Sequence, residues 1–202
     1  SLFLALWVVI HLLEDLRSKY QLGALAKTLG SLTWWGMCSA HLGVAVLAVG
    51  IGMSTALTES VDVRMEPGTK VDVAGYEFEF DGHYQEPGPN YTAFVGEVYV
   101  WKDSLDEAQL YPEKRRYFAS GDVLTEAGID GTLSRDLFVS MGEQLSDTAW
   151  AVRIQVKPFI RWVWLGSILM ALGGLVAVLD SRYRMAKTAK SAADTESSVV
   201  AA

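Results

Sequence analysis

Trp34-Trp-Gly-Met-Cys38-Ser-Ala-His41-Leu-Gly-Val-Ala-Val-Leu-Ala-Val-Gly-Ile-Gly-Met53 is an apolar run interrupted by a single imidazole, that of His41. A helix needs roughly 20 predominantly apolar residues to cross the hydrocarbon core of a bilayer. This run supplies them without one Asp, Glu, Lys or Arg, and so predicts a transmembrane helix over residues 34–53. A histidine at that depth loses its hydration and persists where it faces protein, water or a ligand, which makes it a candidate functional residue. At about 100° per residue, Trp34, Cys38, Ala45, Ala48 and Gly52 stack near His41. A mostly small stripe beside an imidazole suits either a close-packed helix or a flat cofactor whose metal the imidazole binds. Periodicity leaves both readings open.

Outward from this run the composition divides. Half of the 202 residues are hydrophobic, yet nearly all the acidic residues lie between Glu59 and Asp147, outside the two long apolar runs. The second run, Phe159 to Leu179, is headed by Lys157-Pro158 and carries Arg161, Trp162 and Trp164 in its first turns, where Trp and a snorkelling Arg anchor at the interface. Gly173-Gly174 offers another helix a point of close approach. The predicted fold class is a membrane protein of transmembrane α-helices plus an extracytoplasmic all-β sandwich or barrel-like domain. The net charge of -7 argues against nucleic acid as a partner, because phosphate binding wants a basic surface. With Cys38 alone, no internal disulfide and no Cys-x-x-Cys redox pair can form.

Residues 1–13 form an apolar segment too short to span, and predict the end of a helix that begins upstream; no signal peptide is evident. Residues 14–33, with Arg17, Lys19 and Lys27, read as a connecting loop. Residues 180–202, with Arg182, Arg184, Lys187 and Lys190, read as a tail, disordered from Lys187 to Ala202. The positive-inside rule makes both cytoplasmic. Residues 54–158 then lie on the opposite side, the periplasm if the membrane is a bacterial inner membrane.

That middle region reads as about six or seven short strands. Val71 to Phe80 alternates so that Tyr76, Phe78 and Phe80 share one face and Glu77 and Glu79 the other. Tyr91 to Trp101, Asp136 to Met141 and Trp150 to Lys157 are rich in aromatic and β-branched residues. Glu66-Pro-Gly68, Asp81-Gly82, Glu86 to Asn90 and Gly128 to Gly131 carry turn chemistry.

No phosphate-binding glycine loop, zinc signature or nucleophile elbow occurs. His83 reads as a solvated loop residue and His11 as an interfacial one. The triplet Lys114-Arg115-Arg116 offers a grip for a carboxylate or a partner protein. Arg135-Asp136 and Arg153 read as cross-strand ion pairs.

Trp35-Gly-Met-Cys-Ser-Ala-His41-Leu-Gly43, Gly88-Pro-Asn-Tyr91, Tyr111-Pro-Glu-Lys-Arg-Arg-Tyr117, Ile129 to Asp136, Trp150-Ala-Val-Arg153 and Lys157-Pro-Phe-Ile-Arg-Trp-Val-Trp-Leu-Gly166 occur in this order. Together with Gly142-Glu143, the series resembles the C-terminal third of the CcmF/NrfE family of bacterial cytochrome c-type biogenesis proteins, over roughly Ser31 to Arg184. The ordered combination is far more specific than any one motif.

The resemblance implies a haem lyase component that receives haem from a periplasmic haem chaperone and joins its vinyl groups to the thiols of apocytochrome c. It implies a haem b held between transmembrane histidines, of which His41 matches the later. The family's earlier transmembrane histidine, its periplasmic histidines and its Trp-rich haem-handling segment belong upstream, so their roles do not pass to His11 or His83. A thiol-handling maturation subunit is implied as a partner, and the β domain is expected to dock it or the apocytochrome through its acidic surface, its aromatics and Lys114 to Arg116. A non-catalytic membrane scaffold and a haem transporter subunit are the alternatives.

Overall fold

The computed structural model describes residues 1–180. The tail expected to be disordered and cytoplasmic lies, beyond Asp180, outside the described residues. The described residues divide into two compact units, residues 1–52 with 162–180, and residues 53–161.

The first unit is helical. α1 runs Leu2–Gln21, α2 is the short Leu25–Leu29, and α3 covers Leu32–Leu57. α4, Ile160–Leu179, follows the β region. α3 and α4 are long and apolar enough to cross a membrane. α1 continues through the charged turn expected to be loop, because Asp15 and Lys19 pair at i,i+4 (2.6 Å) and Asp15 also accepts from the Trp34 indole of α3 (2.9 Å). The expected loop thus reduces to a turn through Gly23, whose φ of 64° suits glycine, then α2 and Gly30-Ser31.

α3 and α4 meet through glycines seven residues apart. A Cβ on Gly36 would stand 2.6 Å from the Gly173 carbonyl oxygen, and one on Gly43 2.7 Å from that of Gly166; at Gly50 it would meet the Val163 amide at 2.8 Å. Lipid gives helices little hydrophobic reason to associate, so association relies on such close backbone approach. Of the Gly173-Gly174 pair only Gly173 is in the seam, since a Cβ on Gly174 would meet nothing within 4 Å. At one end of the pair the Asp180 carboxylate accepts from the Thr33 amide (2.9 Å) and hydroxyl (2.6 Å), satisfying a donor that the first turn of α3 leaves open.

The second unit is a β-sandwich. Its strands are β1 Glu59–Met65, β2 Thr69–Val73, β3 Tyr76–Pro87, β4 Tyr91–Lys102, β5 Leu105–Leu110, β6 Glu113–Tyr117, β7 Val123–Glu126, β8 Gly128–Gly131, β9 Arg135–Gln144 and β10 Trp150–Pro158. A four-stranded sheet has the order β1-β10-β9-β8; a six-stranded sheet has the order β2-β3-β4-β6-β7, with β5 also on β4. All pairings are antiparallel. Tyr76, Phe78 and Phe80 point inward as their alternation predicts, and meet Leu137, Val139 and Met141 of β9 and Val152, Ile154 and Val156 of β10. Each such burial contributes roughly 1.5–3 kcal/mol.

Ten strands form where six or seven were expected. Val71 to Phe80 holds a hairpin, because Ala74 (φ 53°) and Gly75 (φ 76°) make a two-residue turn that sets Val73 opposite Tyr76. Asp81-Gly82 is a bulge inside β3 between Phe80 and Gly82, and Gly128 to Gly131 is β8 itself, so neither is the turn its composition suggested.

Candidate functional site

His41 is placed by what covers the rest of α3. The glycine face lies under α4. Ala45 and Ala48, 3% and 5% exposed, lie under Ala5 and Val8 of α1, with Leu12 packed beside them. A Cβ on Gly52 would collide with Ser1, and the Trp34 indole is tied to Asp15. The small stripe next to His41 is therefore the seat of α1, which is the helix-packing reading of that stripe. His41 itself stays exposed at its edge. Its Nδ1 lies 2.9 Å from the carbonyl oxygen of Met37, one turn earlier. A carbonyl can only accept, so Nδ1 is the donor in this contact; in the neutral ring the lone pair then lies on Nε2, the tautomer in which imidazole binds a metal through Nε2. Among the described residues no group of three His, Cys, Asp or Glu could hold a metal ion. The arrangement thus offers a single imidazole nitrogen and, among the described residues, no self-contained metal centre.

The other histidines are engaged elsewhere. His11, on α1, packs edge-on against Trp7 with ring centroids 4.5 Å apart, and its Nδ1 lies 3.1 Å from Glu14. His83 is not a loop residue: the bulge lets β3 continue to Pro87, and the imidazole sits half-buried 5.4 Å from the Trp150 ring and 6.0 Å from Phe94.

Lys114, Arg115 and Arg116 do not form one patch. On β6 they alternate between the two faces of the sheet. Lys114 donates to the Thr125 hydroxyl (2.9 Å). Arg115 is held by Glu113 (2.7 Å) and reaches Glu126 (3.6 Å), with its guanidinium 4.8 Å over the Tyr91 ring. The hydrogen bond that Arg115 donates to Glu113 raises its pKa further, so its charge is committed within the sheet. Only Arg116 projects exposed and without an ion-pair partner among the described residues.

Arg135 pairs across strands as expected, but it does so buried, 7% exposed, where it joins Glu107 of β5 to Asp130 of β8 and so ties the two sheets. Burial opposes its charge, but Asp130 and Glu107 outweigh that and keep its pKa above the ordinary value. Its sequence neighbour Asp136 takes Arg161 (2.9 Å), whose guanidinium lies over the bare backbone of Gly131. Arg161 therefore pairs with the sandwich, where a free headgroup anchor was expected.

Comparison with known proteins places these features in a family. The family model described as the CcmF C-terminal beta-sandwich matches residues 56–158. A protein of Pseudomonas aeruginosa named cytochrome c-type biogenesis protein CcmF is 47% identical over 184 residues, which is 90% of this chain and 28% of the relative. The Escherichia coli protein of that name is 41% identical over 184 residues (91% and 28%), and a Haemophilus influenzae protein named NrfE is 36% identical over 156 residues (77% and 25%). This chain thus spans little more than a quarter of the length of these relatives. A solved structure titled cytochrome c heme lyase CcmF shares the fold, with a TM-score of 0.62 and 18% identity over 71% of this chain and 24% of that one.

Proposed function

The chain belongs to the family of the CcmF C-terminal β-sandwich, and from that premise we propose that it is the C-terminal part of a haem lyase component, with His41 an axial ligand of a membrane-embedded haem b. The supporting observation is the His41 imidazole, set in an uncharged helix with Nδ1 on the Met37 carbonyl and, in the neutral ring, the lone pair on Nε2. That hydrogen bond fixes ring and tautomer and makes Nε2 a better donor. A second imidazole for such a haem would be supplied from outside the described residues. Such a haem supplies one-electron transfer when bound, which suits keeping the substrate haem iron reduced.

With Arg17, Lys19 and Lys27 on the cytoplasmic side, residues 53–161 face the periplasm. The rise of about 1.5 Å per residue then sets His41 about 9 Å beyond Trp35, in the cytoplasmic half. Attachment to apocytochrome c therefore occurs away from this haem, on the periplasmic side where the haem chaperone delivers. Cys38 lies within a span, so reduction of the client thiols falls to a separate thiol-handling subunit. The seating of α1 on Ala45 and Ala48 favours a second reading, in which His41 is a packing residue of a non-catalytic scaffold.

Reduced and oxidised absorption spectra of the detergent-purified full-length protein and its His41→Ala variant, at equal concentration and with matched circular dichroism, separate the two. Ligation predicts loss of the bis-imidazole spectrum in the variant alone. An unchanged spectrum would return His41 to packing.

A further inference from the structure

The outer face of the six-stranded sheet carries a charge pattern that neither haem ligation nor the core explains. The alternation that buries Phe78, Phe80, Val98 and Val100 turns Glu77, Glu79, Glu97 and Trp101 outward. The register adds Asp72 opposite Glu77 and Lys70 opposite Glu79. Asp72, Glu77, Glu79, Trp101 and Asp103 line a groove of about 460 Å³ together with Lys70.

The two cations on this face show what it holds. Lys70 sits between Glu77 (2.8 Å) and Glu79 (3.3 Å), and Arg115 between Glu113 and Glu126 while lying over Tyr91. Each is clamped by two carboxylates, and one also has an aromatic floor. Further carboxylates stand ready without a cation: Asp72, Glu86, Glu97 and Asp103 have no ion-pair partner among the described residues. Further rings are available as well, with Tyr99 and Trp101 stacked at 6.5 Å and Tyr84 and Tyr111 43% and 44% exposed. A ring face attracts an ammonium or guanidinium within about 6 Å of its centroid. Independently, the phenols of Tyr84 and Tyr99 titrate above their ordinary value, first through desolvation and then through Glu86 and Glu97.

A metal ion does not fit, because no three of these groups converge on one point. Carboxylates spread along strands roughly 4.8 Å apart fit cations that are themselves spaced along a chain. We propose that the outer face of the six-stranded sheet docks a cationic, extended polypeptide segment, whose Lys and Arg side chains lie between carboxylates and over aromatic rings. The proposal does not depend on haem binding at His41.

The test uses the full-length protein in detergent with fluorescein-labelled decalysine and decaglutamate as probes, from low to physiological ionic strength. Decalysine is expected to bind and decaglutamate not. Glu79→Gln/Glu97→Gln should weaken decalysine about tenfold, as two exposed charge contacts allow, and Trp101→Leu should weaken it with the salt dependence intact. Glu143→Gln/Asp147→Asn removes the same charge elsewhere on the domain and should change affinity less than about twofold. Equal weakening by both double variants would reduce the effect to bulk attraction and overturn the proposal, as would a wild type that binds no decalysine. Thermal melting checks each variant, and Glu97→Gln alone serves if the double variant does not fold.

Discussion

Arg153 grips Asp62 with both ends of its guanidinium fork, Nε to one carboxylate oxygen at 2.6 Å and Nη2 to the other at 2.9 Å. That hydrogen bonding holds the Asp62 pKa below its ordinary value. A depressed carboxylate stabilises the fold above its unfolded pKa of about 3.9 and stops doing so as the pH falls through the folded value. Asp62→Asn should therefore lower the melting temperature slightly at neutral pH, and the two melting curves should converge in acid below that window. A gap that persists there would assign the effect to packing. Arg153 was legible as a strand ion pair, but its partner lies 91 residues away and becomes visible only once β1 pairs with β10. Arg135 carries the same lesson further: next to Asp136 in sequence, it turns inward to Glu107 and Asp130 because odd positions of β9 face the core. The place of His41 in an apolar helix was legible by contrast, since one imidazole in an uncharged run stands out without any knowledge of its neighbours.

Among the elements, the α3–α4 seam is the most sharply constrained. At Gly43 an added methyl would meet the Gly166 oxygen and the Met170 amide, each at 2.7 Å, and both are backbone atoms that no rotamer can move aside. Gly43→Ala should therefore force the helices apart at a cost of about 1–3 kcal/mol, whereas Gly174→Ala meets open space and should be neutral or slightly stabilising through helix propensity. Chemical unfolding of the two variants in bicelles distinguishes them. Equal stability would mean that the seam is looser than its geometry. The pair Gly173-Gly174 read as a contact point, but which of the two adjacent glycines faces the partner depends on the rotation of α4, which its all-round apolar surface does not encode. The strands divide in the same way. Runs with buried hydrophobic alternation, such as β9 and β10, were readable. Glu113-Lys-Arg-Arg-Tyr117 became a strand only through pairing with β4 and β7, since its charged side chains mask the period.

At the scale of the whole molecule, the sandwich is an insertion between two apolar helices with its ends held together. Glu59 at the start of β1 pairs with Val156 near the end of β10, so the chain leaves the domain beside the point where it enters. Thr58 alone separates α3 from β1, and Phe159 alone, with a positive φ of 56° and its amide on the Ser134 carbonyl, separates β10 from α4. Paired strand ends about 5 Å apart can be bridged by a short turn, so a Gly-Ser linker of about four residues in place of residues 59–158 should leave α3 and α4 free to insert and to meet along their glycines. The proposed division of labour then makes a paired prediction for the full-length protein carrying that replacement: the haem b spectrum persists, because His41 and its supports lie in the helical unit, while the yield of holocytochrome c falls, because the docking face is gone. Loss of the spectrum together with the yield would mean that the sandwich is needed for the helices to assemble. Unimpaired maturation with normal insertion would remove the domain from client handling altogether.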